Sequence, residues 1–145
     1  MRVHIPDILI HQLYAHARAD APNECCGLII GTLSDEAAQV CEIYPSKNLT
    51  IYDPEKTFEV DPKLRFDLMR AAQLREDGTD IIGHYHSHPR GLAEPSVTDL
   101  SMAHEPDMIW LICGLDEDDN ISLGAFRARS DRTAFETLEL VIESV

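Results

Sequence analysis

The chain reads as an α/β protein, a central mixed sheet flanked by helices, on three observations. Two segments, 6–20 and 62–77, space apolar residues three or four apart, as amphipathic helices do. Two others, Cys25-Cys26-Gly27-Leu28-Ile29-Ile30-Gly31 and Met108-Ile109-Trp110-Leu111-Ile112-Cys113, are short apolar runs that suit buried strands. Helical and strand-like segments intermingle along the chain, which points to a sheet covered by helices.

The first residues lead directly into the helix at 6–20. Pro6 suits its first turn, Leu9, Leu13 and Ala17 recur at i+4, and Pro22 closes it. Asn23-Glu24 then lead into the strand that starts at Cys25. Further strands are expected at 38–44 and 57–60, with turn chemistry between them at Pro45-Ser46-Lys47-Asn48 and Asp53-Pro54. In the second helix Asp61 caps, Pro62 takes the first position, Leu64, Leu68, Ala71 and Leu74 follow, and Gly78 ends it. A strand at 81–86 runs into Ser87-His88-Pro89, and 90–95 is a loop. A short helix begins at Ser96 and stops before Pro106. The strand at 108–113, an acidic turn at 116–120 and a strand at 121–129 follow. The segment 133–143 suits a strand or a helix, and the hairpin chemistry of Ser130-Asp131-Arg132 favours the strand.

With 145 residues and no linker or repeat, residues 1–145 are expected to form one domain. No run approaches the ~20 apolar residues of a membrane span, and the N-terminus lacks a signal-peptide layout, so a cytoplasmic setting is expected. The four cysteines form no C-x-x-C pair and read as buried thiols, with at most one of the adjacent Cys25 and Cys26 inside. A net charge of −14 argues against nucleic acid as a partner, because phosphate recognition wants a basic face. Lysine occurs only at Lys47, Lys56 and Lys63, a pattern that fits either adaptation to high salt or an acidic soluble surface.

The chemistry concentrates in Gly83-His84-Tyr85-His86-Ser87-His88-Pro89 and in Ser96 and Asp99 beyond it. Histidines at i and i+2 of a strand point to one side with Cα atoms roughly 6.6 Å apart, so their imidazoles can converge on one metal ion. Ten residues separate His88 from Asp99, enough for the strand to end and a helix start to bring its acid back. Three N/O ligands with one open position characterise catalytic zinc, which lowers the pKa of bound water towards ~7. Ser96-Val97-Thr98-Asp99 is also a capping-box pattern, and one serine can cap a helix and still donate its own proton. His84 shares the face of His86 and His88, so periodicity leaves His84 and Asp99 both open as third ligand. A proton acceptor is needed too, and Glu24, placed directly before an apolar strand, is out of keeping there unless it faces a cleft.

Together these residues resemble the JAMM (MPN+) metalloprotease family: a Glu upstream, H-x-H, ten residues, then Asp, with a Ser three before it. Glu24, His86, His88, Ser96 and Asp99 match each position, and Gly-x-Tyr-His-Ser-His-Pro is the family's usual setting. The resemblance implies a cytidine-deaminase-like α/β sandwich and one zinc ion per chain, bound by His86, His88 and Asp99. It implies that Glu24 moves the water's proton to the leaving amine, that Ser96 hydrogen-bonds the oxyanion, and that His84 is a wall residue. It further implies a ubiquitin-like or sulfur-carrier protein tail ending in Gly-Gly as substrate. Loop 44–58 and Arg90 are its candidate contacts.

Overall fold

Seven strands close into a barrel, and closure depends on a strand that the sequence pattern hides. In the computed structural model, which describes residues 1–144, the elements run β1 (Arg2–Pro6), α1 (Asp7–Asp20), β2 (Cys26–Leu33), β3 (Ala37–Ser46), α2 (Pro62–Arg75), β4 (Asp80–His88), α3 (Val97–Ser101), β5 (Ile109–Leu115), β6 (Ile121–Ala128) and β7 (Phe135–Glu143). Around the barrel the order is β1-β3-β2-β4-β5-β6-β7. β1 runs parallel to both β3 and β7, and β4 parallel to β5, while the other pairs are antiparallel.

The mixed sheet is as expected; the flanked open sandwich is not. β1 occupies the residues expected only to lead into the helix, yet it alternates in burial, with Val3 and Ile5 fully buried. By pairing with β3 on one side and β7 on the other it removes two edges that would otherwise expose unpaired backbone. The last segment, β7, is a strand, as the hairpin at 130–132 favoured.

α1 lays Leu9, Ile10, Leu13 and Ala17 against the core that includes Ile29, Val40, Tyr85 and Leu111. A smaller cluster of Ala103, Trp110, Ile112, Phe126 and Ala128, joined by Phe58, lies apart from it. Asp61 caps α2 as expected, its carboxylate accepting from the Lys63 backbone N–H. The helix ends earlier than Gly78, at Glu76 in the left-handed region, and of its side chains only Ala72 is buried, with Leu74 left exposed.

Two further expectations fail for one reason. No strand forms at 57–60, which contributes only an isolated bridge between Asn48 and Val60. That segment instead lies over β2, where the Cys26 thiol faces the carbonyls of Lys47 and Glu59. β2 is thus covered on both faces, and Cys25 and Cys26 are both fully buried. Among the described residues no helix is long and apolar enough to cross a membrane.

Candidate metal centre

β4 is the middle of the site. It pairs with β2 and β5, so its residues cannot shift in register without breaking two ladders. From it His86 and His88 project to one side, and the first turn of α3 returns Asp99 to them. His86 Nε2 lies 3.1 Å from His88 Nε2 and 3.1 Å from Asp99 Oδ1, and His88 Nε2 lies 3.1 Å from Asp99 Oδ2. His84 shares the strand face but stays outside this group, its ring against Trp110 at 4.3 Å.

The donor set fits one small cation. A tetrahedral ion with bonds of about 2.0–2.1 Å holds its donors about 3.3 Å apart, close to the separations here. The lone pairs also point the right way. His88 Nδ1 donates to the Leu92 carbonyl at 2.9 Å, which leaves Nε2 bare and aimed at the cluster. Burial lowers the pKa of His86 more than its bond to Asp99 raises it, which keeps that imidazole neutral. Burial alone would raise Asp99, but the two histidines and the Ser96 N–H hold its carboxyl well below the usual carboxylate range. His88 goes the other way: burial opposes its charge, but Asp99 and the Leu92 carbonyl outweigh it, so a proton competes with a cation there.

Ser96 carries both readings of the capping pattern. Its Oγ accepts from the Asp99 N–H at 3.0 Å, and its own N–H donates to Asp99 Oδ2 at 2.9 Å. The cap therefore fixes Asp99 at the histidines, and the exposed Ser96 hydroxyl keeps its proton to donate. Glu24 is 4% exposed, and its Oε1 has no partner. Burial pushes its carboxyl up to about 8, His88 partly offsetting this and Asp99 adding to it. Pro22, Glu24, Lys56, His88, Arg90 and Ser96 line one cleft of about 640 Å³. Lys56, from the 44–58 loop, and Arg90 both line this cleft.

Sequence reasoning missed three supports. Phe58 stacks on the His86 ring at 4.3 Å and 18°. The Leu92 carbonyl has no sequence signature, being backbone. Asn48, read as turn chemistry, donates to the carbonyls of Glu24 and Thr57 and accepts from the Thr50 and Glu59 N–H groups. The cysteines take no part in the cluster: burial drives the thiols of Cys25, Cys26 and Cys113 up to about 12.

A mixed barrel presenting two imidazoles and a carboxylate at cation spacing, beside a buried acid in an open cleft, makes this an α/β protein with a side-chain group that could hold a metal ion. Residues 6–128 match the family described as prokaryotic homologs of the JAB domain, and the chain belongs to that family. It is 33% identical over 108 residues to the desampylase of Haloferax volcanii, covering 72% of this chain and 74% of that one. The CysO-cysteine peptidase of Mycobacterium tuberculosis is 26% identical over 122 residues, 82% of this chain and 77% of its own. A solution structure of a Desulfitobacterium hafniense protein superposes with a TM-score of 0.78 at 28% identity, covering 100% of this chain and 94% of that one.

Proposed function

We propose that residues 1–145 act as one zinc-dependent peptidase of the cytoplasm, with His86, His88 and Asp99 as ligands and Glu24 and Ser96 as catalytic groups. The substrate is the tail of a ubiquitin-like, sulfur-carrier-type protein, cut after its Gly-Gly. The observation that carries this reading is the convergence of three donors at 3.1 Å beside a buried, partnerless Glu24 oxygen. The relatives named a desampylase and a CysO-cysteine peptidase support the substrate class.

A zinc ion held by His86, His88 and Asp99 would supply Lewis acidity, the means of polarising a carbonyl and of lowering the pKa of a water towards neutrality. The protein's own groups do the rest. Glu24 accepts the proton of the attacking water and passes it to the nitrogen as the C–N bond breaks, giving a carboxylate tail and a free amine. Ser96 donates its hydroxyl proton to the carbonyl oxygen as charge grows there, a contribution of about 3 kcal/mol in comparable sites. The capping bond that Ser96 accepts holds its oxygen in place for that donation.

The test is mass spectrometry of ubiquitin-like sulfur carriers with C-terminal extensions, incubated with zinc-loaded protein and with Glu24→Gln. Cleavage directly after Gly-Gly that vanishes in the variant is the expected result. One zinc per chain with no cleavage would overturn the substrate class, and absence of zinc binding would overturn the chemistry.

A further inference from the structure

The cleft at Glu24 has two further cavities beside it. A second cavity runs along the segment from Thr50 to Glu59 and shares Asp53, Lys56 and Thr98 with the cleft. A third, of about 350 Å³, shares Phe58, Glu59 and Met102 with the second. The three thus follow one another along this segment, neighbours sharing lining residues, and Phe58, which lines the last of them, also stacks on the His86 ring.

The two ends differ in chemistry. The cleft end carries Glu24, Lys56 and Arg90 and is open to water. The far end has an apolar wall of Phe58, Met102, Ala103, Met108 and Trp110 around His84, and Glu59, Arg65, His104 and Glu105 also line it. His84 lies 4.3 Å from Trp110 and 5.7 Å from Phe58 between ring centroids. Its Nδ1 is buried without a hydrogen-bond partner. Arg65 at the rim is already paired with Glu105 at 2.8 Å, so it offers no free charge to an ionic ligand. A volume of 350 Å³ is at the small end of ligand pockets, which start at about 300 Å³. It admits one large side chain and excludes a folded domain.

We propose that the Phe58–His84–Trp110 cavity is a specificity pocket for one large apolar side chain of the substrate tail, upstream of the scissile bond. This rests on the tail-cleaving reading above. The apolar end takes the tail because the charged, wet end suits the leaving amine. The smaller imidazole of His84, where an indole would fill the space, keeps the pocket open.

The test uses tail peptides ending in Gly-Gly followed by an amide-linked reporter, with Ala, Leu or Phe at each of the three positions before Gly-Gly. A second series varies the leaving residue. On zinc-loaded protein, Leu or Phe at one upstream position raises kcat/KM over Ala by roughly tenfold. His84→Trp, which fills the pocket, brings that ratio towards one. Met102→Trp at the exposed rim does the same and guards against a folding failure of the first variant. Equal rates for all upstream residues, a preference that survives both variants, or a preference set by the leaving residue overturns the proposal while leaving the peptidase reading intact. Hydrolysis of no peptide overturns that reading. Calorimetry of the product tails, which needs no turnover, then decides the pocket by whether Leu or Phe tails bind more tightly than Ala tails in a way that His84→Trp abolishes.

Discussion

His88 Nδ1 sits 2.9 Å from the carbonyl oxygen of Leu92, and this one bond leaves the Nε2 nitrogen of the ring facing His86 and Asp99. Leu92 is in a loop, so something must hold its carbonyl still. That support is Gly114 at the end of β5: a Cβ there would stand 2.4 Å from the Ala93 nitrogen and 2.7 Å from the Leu92 carbonyl carbon. Both neighbours are backbone and cannot swing aside.

Gly114→Ala is therefore expected to displace the loop and weaken zinc binding by about 10- to 100-fold, as loss of a ligand's orienting bond does. Competition against a chromogenic chelator measures this. Gly31→Ala is the control. Its Cβ meets the Gln39 carbonyl at 1.9 Å, away from the cluster, so it lowers Tm and leaves the zinc affinity of the folded protein unchanged. Equal zinc affinity in Gly114→Ala and the parent would remove the role given to Leu92.

That His86 and His88 share a side was legible from a period of two on a strand, and a helix cap on the return could bring Asp99 to them. The same period left His84 equally open, and only the family resemblance pointed to Asp99, which the fold does bring to the pair. Glu24 was legible as an acid out of keeping with its neighbours. The supports were not, for a physical reason. The Leu92 carbonyl belongs to every residue type alike, and Asn48 acts through partners up to 24 residues away that turn chemistry does not name. β1 was hidden because five residues carry too little alternation to stand out before a helix, and its partners are at positions 37–39 and 139–143. Closure of the barrel is a property of those distant pairings.

In the metal-free protein Glu24 makes stability fall as pH rises. Its folded pKa, about 8, lies above the ordinary 4.5, so the folded state holds the proton more tightly. That contribution is complete below about 4.5 and is lost as pH climbs through 8. Glu24→Gln cannot ionise. With chelator present, the variant and parent melt within about 2 °C of each other at pH 5, and the variant is ahead by roughly 4 °C or more at pH 9. Parallel melting curves for the two proteins across this range would mean that Glu24 is not buried as described.

Thiol chemistry separates a packing role for the cysteines from a reactive one. Cys25, Cys26 and Cys113 are fully buried with pKa values pushed to about 12, and all four cysteines are free. Only Cys41 is exposed. Iodoacetamide at pH 8 should add one label per native chain, at Cys41, without loss of hydrolysis. Labelling of Cys26 with loss of activity would instead give that thiol a part in the site.

Asn48 is the residue by which the segment 48–59 is tied to Glu24. Its amide donates to the Glu24 carbonyl at 3.2 Å and the Thr57 carbonyl at 3.0 Å, while its Oδ1 receives the Thr50 and Glu59 N–H groups. The Glu24 N–H donates in turn to the Pro54 carbonyl at 2.8 Å. Glu24 is thus held at both backbone groups by one loop, in which the Asn48 amide bonds to three loop residues as well. Asn48→Asp keeps the shape and both accepted bonds but removes the two donated ones, a loss of about 1–3 kcal/mol. None of these bonds reaches His86, His88 or Asp99. Zinc stoichiometry therefore stays at the parental value, while kcat falls roughly tenfold as Glu24 loses its alignment with the attacked carbonyl. KM rises less, because the residues proposed to hold the tail outside this loop are unchanged. Loss of zinc together with activity would show that the loop supports the cluster as a whole, and unchanged kcat would show that Glu24 is positioned without it.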